Sequence, residues 1–237
     1  MERMIFWDFH GTLTPPDHGW SPTALELART VRPELTWEDV AKVFAHEGFP
    51  WARWQEEQAW QRQPGAWWRH VEQHVFAQTL RRLGLEEADC QRLASLARDK
   101  ELQPSRYRLY PGVPDMLKAL RGRGWRQAVL SNNFPELGDI VDALGIGSAF
   151  EAVFVSANLG YDKPHPGFFR QALAACGNPE VAVMVGDNPR RDIAGAHAAG
   201  MRTLWIARGR TYEGAVPPDG FCDLPTDVPV CLEGMPC

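Results

Sequence analysis

A carboxylate followed by a tight polar turn lies near the start of the chain. Asp8 is at the end of an apolar run, and Gly11 and Thr12 follow it within four residues. A carboxylate at the end of a strand could act as a nucleophile. Gly11 allows the backbone to turn tightly near a ligand, and Thr12 could donate its hydroxyl and amide to an anion. The segment therefore predicts a nucleophile beside an anion-binding turn.

Ser131 and Asn132 follow a second apolar run, at residues 126–130. A small hydroxyl and free backbone N–H groups at a strand end would suit a phosphoryl oxygen. Taken alone, however, a Ser-Asn pair fits better as a helix cap before Pro135. Both interpretations remain open at this stage.

Lys163 lies between Asp162 and Pro164 in a proline-stiffened segment that leads into a helix at Pro166. An isolated surface lysine is usually only solvated. A lysine with restricted reach could instead neutralise the charge of an aspartate and of a phosphoryl group together. We therefore take Lys163 as a candidate catalytic residue.

Asp187 and Asp192 bracket a predicted strand-to-helix turn after the apolar run 181–185. Carboxylate oxygens at a strand end close to Asp8 are the ligands that a small hard cation such as Mg²⁺ requires. The sequence thus places two acidic groups where a metal ion could neutralise them.

Strand and helix patterns alternate around these residues. Apolar runs predict strands at residues 4–9, 126–130, 152–155, 181–185 and 203–206, and helical spacing predicts helices at 114–121, 136–144, 166–176 and 191–199. Such alternation is typical of an α/β fold with a doubly wound, mostly parallel sheet. Parallel strands end at a common edge, which would bring the polar segments together.

Residues 15–104 interrupt the alternation and carry only helical signals, which predicts an inserted all-helical cap domain. Ser21-Pro22 is a helix-start signal, Thr36 to Asp39 resembles a capping box, and helical spacing covers 66–83 and 86–100. Seven of the ten tryptophans fall in this segment. They are expected to pack inside the cap, with substrate contact as the alternative. Residues 208–237 are rich in Pro, Gly and Asp, and are expected to form an irregular tail.

Composition limits the classes of partner. The net charge of -5 gives no basic surface for nucleic acid or an acidic membrane. The first apolar run is interrupted by Asp8 before it reaches the length of a signal peptide core, so a cytoplasmic location is expected.

Five scattered cysteines without CxxC spacing argue for free thiols rather than for zinc or disulfides. His70 and His74 lie four residues apart, but without a third ligand they are expected to be solvated or partly packed.

Four segments together are more specific than any one. DFHGTLT, an apolar run ending in SNN, DKPHPGFF and GDNPRRDIAGAHAAG resemble, in order, the motifs of the haloacid dehalogenase (HAD) superfamily. The helical insertion is similar to the C1-type cap of its phosphatase-like branch. This resemblance implies a HAD-like Rossmannoid core at residues 1–14 and 105–207 and a cap at 15–104.

By that resemblance the chain is a phosphoric monoester hydrolase that acts on a small phosphorylated metabolite with Mg²⁺. Asp8 would attack phosphorus and form an aspartyl-phosphate, while Lys163 would stabilise the phosphoryl group. The phosphate-binding residues would be Gly11, Thr12, Ser131, Asn132 and Lys163. The metal ligands would be Asp8, the backbone carbonyl of His10, Asp187 and, through water or outer contacts, Asp192. No nucleic acid or membrane partner is expected, and the chain is expected to be a monomer or homodimer.

His10 departs from the family pattern, which has a second Asp as general acid and base at that position. An imidazole could protonate a leaving group and then activate water, so His10 could perform this role. Two alternatives remain open. One is a metal-independent 2-haloacid dehalogenase, since those enzymes also lack the second Asp. The other is a catalytically impaired HAD-like binding or regulatory module.

Overall fold

A six-stranded parallel sheet forms the centre of the protein. The computed structural model describes residues 2–16, 20–47 and 64–234, and within them the strand order is β3-β2-β1-β4-β5-β6. The strands are β1 (Arg3–Trp7), β2 (Trp125–Ser131), β3 (Ala152–Val155), β4 (Val181–Gly186), β5 (Arg202–Ile206) and β6 (Gly220–Cys222). The predicted α/β class with a doubly wound parallel sheet is confirmed.

The central strands are apolar on both faces. In β1, Met4 and Phe6 join one buried cluster, whereas Ile5 and Trp7 join the other. Successive side chains of a strand point to opposite faces, so each cluster corresponds to one face of the sheet. This double burial explains why the strand sequences read as continuous apolar runs.

Helices fill the connections between the strands. Six α-helices lie between β1 and β2 in the described ranges: α1 (Trp20–Arg29), α2 (Trp37–Glu47), α3 (Pro64–Val71), α4 (Ala77–Arg82), α5 (Glu87–Ala94) and α6 (Ala97–Glu101). A π-helical turn, Glu72–Phe76, joins α3 to α4. The remaining helices are α7 (Val113–Gly122), α8 (Leu137–Ala143), α9 (Ser156–Leu159), α10 (Pro166–Ala175), α11 (Gly195–Ala198) and α12 (Val228–Glu233). A second π-helical turn, Pro189–Ala194, precedes α11.

The two helix-start signals had different outcomes. Thr36 and Asp39 form the predicted capping box, with Thr36 N donating to Asp39 Oδ2 at 2.9 Å and Asp39 N donating to Thr36 Oγ1 at 3.4 Å. Ser21 was wrongly placed at the helix cap, because α1 already begins at Trp20. The centroid of the Trp20 ring lies 5.6 Å from that of the Phe76 ring. Pro22 still lies in the first turn, where no N–H is needed.

The tryptophans of the insertion have separate roles. Trp67 and Trp68 are buried, and the Trp68 ring stacks on Phe134 with centroids 5.8 Å apart. Trp68 Nε1 also donates to Glu136 Oε2 at 2.9 Å, which joins α3 to the loop after β2. Trp37 is instead 53% exposed. The packing interpretation therefore fits the first two, while Trp51, Trp54 and Trp60 lie outside the described residues.

The irregular tail was wrong as a prediction. Gly220–Cys222 pairs with β5 as a parallel strand, and Asp219 Oδ2 accepts a hydrogen bond from Thr203 N at 2.8 Å. Cys222 and Val228 are buried in the core. A strand of three residues is too short to show periodicity in sequence, so only its pairing with β5 identifies it.

Two composition-based expectations also concern the fold. Cys90, Cys176, Cys222 and Cys231 have free thiols, as predicted, whereas Cys237 lies outside the described residues. Across the described ranges, every helix is too short or too polar to cross a membrane.

Candidate active site

The candidate site lies where β1, β2 and β4 end together. Trp7 pairs with Val129 on one side and with Val185 on the other. The chain stays in contact with β4 beyond the strand, because Asp8 N donates to Val185 O at 2.9 Å. The parallel register therefore brings Asp8 level with the residues that follow β2 and β4.

Lys163 is held between two carboxylates. Its Nζ donates to Asp8 Oδ1 at 2.8 Å, to Asp192 Oδ1 at 2.6 Å and to Leu130 O at 2.9 Å. The side chain is 2% exposed, so the ammonium has little freedom to move. This arrangement agrees with the predicted lysine of restricted reach.

Asn132 holds the backbone of Lys163 in place. Its Oδ1 accepts from Lys163 N at 2.6 Å, and its Nδ2 donates to Lys163 O at 3.0 Å. The side-chain amide is thus used to fix the lysine segment. Its predicted contact with phosphate would have to come from other atoms of Asn132.

Asp192 is fixed at both oxygens. Oδ1 accepts from Lys163, and Oδ2 accepts from Asn188 N at 2.9 Å. Gly186 makes this approach possible, because a Cβ at that position would lie 2.4 Å from the Asp192 side chain. Any larger residue at 186 would push the carboxylate away from Lys163.

Burial and charge act in opposite directions on these groups. Burial raises the pKa of Asp8, but the Lys163 ammonium lowers it by more than burial raises it, so the pKa of Asp8 lies below its ordinary value. Burial lowers the pKa of Lys163, while Asp192 and Asp8 raise it above the ordinary value overall. Burial raises the pKa of Asp192 to about 6, opposed by Lys163 and reinforced by Asp8 and Asp187. The nucleophile candidate is therefore ionised and paired with an ammonium.

Three carboxylates converge in a way that fits a metal ion. Asp8, Asp187 and Asp192 each offer an oxygen, and these oxygens lie within 4.8 Å of one another. Burial and the Asp8 charge raise the pKa of Asp187, a repulsion that a bound cation would relieve. Carboxylate oxygens are the ligands that Mg²⁺ prefers. The residues present thus fit Mg²⁺, and ligation by the His10 carbonyl stays a prediction.

Gly11 lies beneath Asp187. It adopts φ +78°, and a Cβ there would lie 2.6 Å from Asp187 Oδ2. Thr12 is fully buried, and its hydroxyl has no hydrogen-bond partner among the described residues. Neither residue lines the cavity over the carboxylates, so both shape the turn after β1 and do not contact the open space of that cavity.

A cavity of about 350 Å³ opens over the carboxylates. Its polar side is lined by Asp8, His10, Ser131, Asn132, Lys163, Asp187, Asn188, Arg191 and Asp192. The remaining lining residues are Pro16, Trp20, Ser21, Pro22 and Trp37, which precede or belong to the inserted helices. The predicted site residues and the side chains of Trp20 and Trp37 thus line one cavity.

Arg208 and Arg210 were missed from the sequence. Both follow β5, and both donate to Asp187 Oδ2, at 2.5 and 3.2 Å respectively. Trp205 Nε1 holds the backbone carbonyl of Asp187 at 2.8 Å. The sequence contained a signal for them, since β5 ends at the same sheet edge as β4 and is followed, after Ala207, by Arg-Gly-Arg. Because residues 208–237 were expected to form an irregular tail, these two arginines were not predicted as site residues.

The His70 and His74 pair lies apart from this site. Their ring centroids are 4.4 Å apart, and burial together with His74 lowers the pKa of His70 to about 4. Among the described residues, the only group of three or more metal-ligating side chains is the one containing Asp8. The two histidines are therefore a partly packed pair.

Comparison with known proteins finds relatives that are named as phosphatases. The chain is 38% identical to a phosphoserine phosphatase of Thermus thermophilus over 146 residues, which is 61% of this chain and 57% of that protein. It is 32% identical to a glyceraldehyde 3-phosphate phosphatase of Pyrococcus furiosus over 161 residues, covering 67% of each. The matched part therefore spans less than two thirds of the first of these relatives.

Solved structures share the fold. The HAD hydrolase YfnB of Bacillus subtilis, solved with magnesium, has a TM-score of 0.69 at 18% identity, with 96% of each chain covered. An L-2-haloacid dehalogenase of Xanthobacter autotrophicus has a TM-score of 0.68 at 22% identity, with both chains fully covered. The haloacid dehalogenase-like hydrolase family itself matches residues 2–200. The chain therefore belongs to the haloacid dehalogenase-like hydrolase family.

Proposed function

We propose that this protein is a magnesium-dependent phosphoric monoester hydrolase that uses Asp8 as a covalent nucleophile. The observation that carries the proposal is the buried Asp8–Lys163–Asp192 arrangement with Asp187 beside it, at the floor of a cavity. Relatives named as phosphatases of phosphoserine and of glyceraldehyde 3-phosphate support the reaction class. A small organic phosphate is the proposed substrate.

In the first step, Asp8 attacks phosphorus. Lys163 binds Oδ1, which leaves Oδ2 without another partner among the described residues and available for attack. The new bond joins Asp8 to phosphorus, and the bond from phosphorus to the leaving oxygen breaks. His10, which lines the cavity, donates a proton to that leaving oxygen.

In the second step, water attacks the aspartyl-phosphate. His10 now lacks its proton and accepts one from the water, while the phosphorus–Asp8 bond breaks. Inorganic phosphate leaves, and the Asp8 carboxylate is restored. The His10 ring packs edge-on to Phe9 at 5.1 Å and lies 5.9 Å from the Tyr107 ring, contacts that limit its orientation.

The approach of two anions is the main barrier to such chemistry. A phosphoryl dianion repels the Asp8 carboxylate, and the Lys163 ammonium offsets part of this repulsion. When Mg²⁺ is bound by the three carboxylates, it supplies further positive charge to the phosphoryl oxygens. Ser131 lines the same cavity and is proposed to donate its hydroxyl to the phosphoryl group.

The part of the cavity lined by residues of the insertion favours a substrate whose leaving group has an apolar face. Trp20 and Trp37 line the cavity together with Pro16 and Pro22, and this part of the lining includes no charged residue among the described ones. Aromatic rings and prolines favour flat or apolar groups over zwitterions. We therefore propose that aryl phosphates are hydrolysed in preference to phosphoserine.

The decisive assay is phosphate release from a panel of phosphomonoesters, with and without Mg²⁺, using Asp8→Asn protein as background. The proposal expects release that requires Mg²⁺ and disappears in Asp8→Asn. No release above that background would contradict it. Halide release from 2-haloacids in the presence of chelator would instead establish the dehalogenase alternative.

His10→Asp separates the remaining alternative. An impaired binding or regulatory module would show no turnover as the natural chain and would gain it with this change. If the natural chain already turns over and His10→Asn loses most of that rate, His10 has the proposed role.

A further inference from the structure

Arg208 joins three parts of the protein around Asp187. Its Nη2 donates to Asp187 Oδ2 at 2.5 Å, and its Nη1 donates to Tyr110 Oη at 3.2 Å. Tyr110 in turn is tied to the first loop, because its N–H donates to Leu13 O at 3.0 Å. The guanidinium is therefore fixed from two sides while it contacts the carboxylate.

The backbone of Arg208 is held in an unusual conformation. Its φ is +48°, a left-handed value that is uncommon for a residue with a side chain. Asp223, the residue directly after β6, accepts hydrogen bonds at this point: Arg208 N donates to Asp223 O at 3.0 Å, and Gly209 N donates to Asp223 Oδ1 at 2.7 Å. Conformations of this kind persist where the surrounding structure over-determines them, and they concentrate at functional sites.

Both arginines bind the same oxygen of Asp187. Arg210 Nη2 lies 3.2 Å from Oδ2, and it also donates to Asp187 O at 3.0 Å. Oδ1 is left without a partner among the described residues. A carboxylate held at one oxygen in this way is a one-oxygen ligand, which suits the strict octahedral geometry of Mg²⁺.

Arg208 does not line the cavity over the carboxylates, so its contact is with the ligand and not with the substrate space. We propose that Arg208 is a positioning residue that presents Asp187 Oδ1 to the metal ion and thereby raises the affinity of the site for Mg²⁺. The inference rests on the proposed function only in taking Asp187 as a metal ligand. Groups that bond to metal ligands commonly change metal affinity by about 10- to 100-fold when removed.

The test compares Mg²⁺ binding by the full chain and by Arg208→Met, measured by isothermal titration calorimetry without substrate. We expect about tenfold weaker binding in Arg208→Met. Arg208→Lys keeps the charge but loses the two-pronged donor, so an intermediate affinity is expected. The matched control is Arg123→Met, which removes a surface arginine bonded to Glu233 at 2.8 Å and should leave Mg²⁺ binding unchanged.

Two further readouts exclude a merely structural role. In Arg208→Met, phosphate release should require about tenfold more Mg²⁺ for half-maximal rate and should recover at saturating Mg²⁺. A misfolded variant would not recover. If Arg208→Met is too unstable to measure, Arg208→Lys alone must show weakened binding.

Equal or tighter Mg²⁺ binding in Arg208→Met would overturn the inference. Tighter binding would mean that the positive charge of Arg208 only repels the ion. If the natural chain and Asp187→Asn bind Mg²⁺ equally weakly, the metal part of the proposed function fails as well. If the natural chain binds Mg²⁺ through Asp187 and Arg208→Met is unchanged, only this inference fails.

Discussion

Lys163 and Arg208 are two cations that each bond to a carboxylate at the same sheet edge, yet they differ in what else they face. Lys163 is 2% exposed, bonds to two carboxylates and lines the cavity. Arg208 is 17% exposed, bonds to one carboxylate and lies outside the cavity lining. A cation that faces both the nucleophile and the cavity can take part in the reaction. A cation behind a ligand can only set where that ligand points.

The largest effect is expected from Asp8→Asn. Loss of the nucleophile should reduce phosphate release by about 10⁴-fold or more, since groups that act as one catalytic unit fail together. The melting temperature should change little, because the amide oxygen of Asn can still accept from Lys163. Rate assays and thermal denaturation of the same preparation check both. Turnover at the natural rate would show that Asp8 is not the nucleophile.

Lys163→Met should have the next largest effect, on rate and on stability. Removal of a charge that faces the reacting group costs about 10²- to 10³-fold in rate. It also leaves two buried carboxylates without their cation, which should lower the free energy of unfolding by about 3–5 kcal/mol. Urea denaturation measures the change in the free energy of unfolding. Lys118→Met, at an exposed position in α7, is the control and should change neither quantity. A stable Lys163→Met protein with full rate would remove the contrast with Arg208.

Gly11→Ala tests whether the position of Asp187, the carboxylate bound by Arg208, controls the affinity for Mg²⁺. The new methyl group would crowd Asp187 Oδ2, so the affinity for Mg²⁺ should fall about tenfold, in addition to a backbone cost of about 1–2 kcal/mol. Gly177→Ala is a matched control, because Gly177 has φ +79° and nothing within 4 Å of an added Cβ. It should have the backbone cost alone. Equal Mg²⁺ binding by both variants would contradict a role for the Gly11 contact.

Glu101 is a buried carboxyl that, unlike Asp192, makes no ion pair with any described residue. It is 1% exposed, and burial raises its pKa above the ordinary value. Its stabilising contribution is therefore complete below the unfolded pKa of about 4.3 and is lost as pH rises through the folded pKa. Glu101→Gln should remove this loss and be more stable than the natural chain by about 1 kcal/mol at neutral pH. The free energy of unfolding of both proteins is measured from about pH 4 to neutral pH. A constant difference between them over this range would contradict a raised pKa for Glu101.

The sequence predicted the fold where signals were long and repeated. Apolar runs identified β1 to β5, because burial on both faces of the sheet leaves an apolar pattern, and helical spacing identified the helices between them. The polar residues after those runs pointed to the correct sheet edge. The short β6 escaped prediction because three residues carry no period, and its partner β5 alone defines it.

The candidate site divides in the same way. Asp8, Lys163 and Asp192 could be assigned from motifs, and the structure brings them together. Arg208 follows β5 at the same sheet edge, but its contact with Asp187 depends on a left-handed backbone conformation at Arg208, where Asp223 accepts the Arg208 N–H. Asn132 was assigned to phosphate, whereas its side chain holds Lys163. Side-chain partners of this kind depend on tertiary contacts that a motif does not encode.

The most direct test of the central claim is detection of phosphorus on Asp8. His10→Asn protein, in which water attack should be slow, is mixed with Mg²⁺ and an aryl phosphate, whose leaving group needs little protonation in the first step. The mixture is quenched in acid and examined by peptide mass spectrometry. A phosphoryl group should appear on the peptide that contains Asp8, and it should be absent when Asp8→Asn is added to the same variant. Phosphate release with no adduct at Asp8, or with an adduct on another residue, would contradict the covalent mechanism.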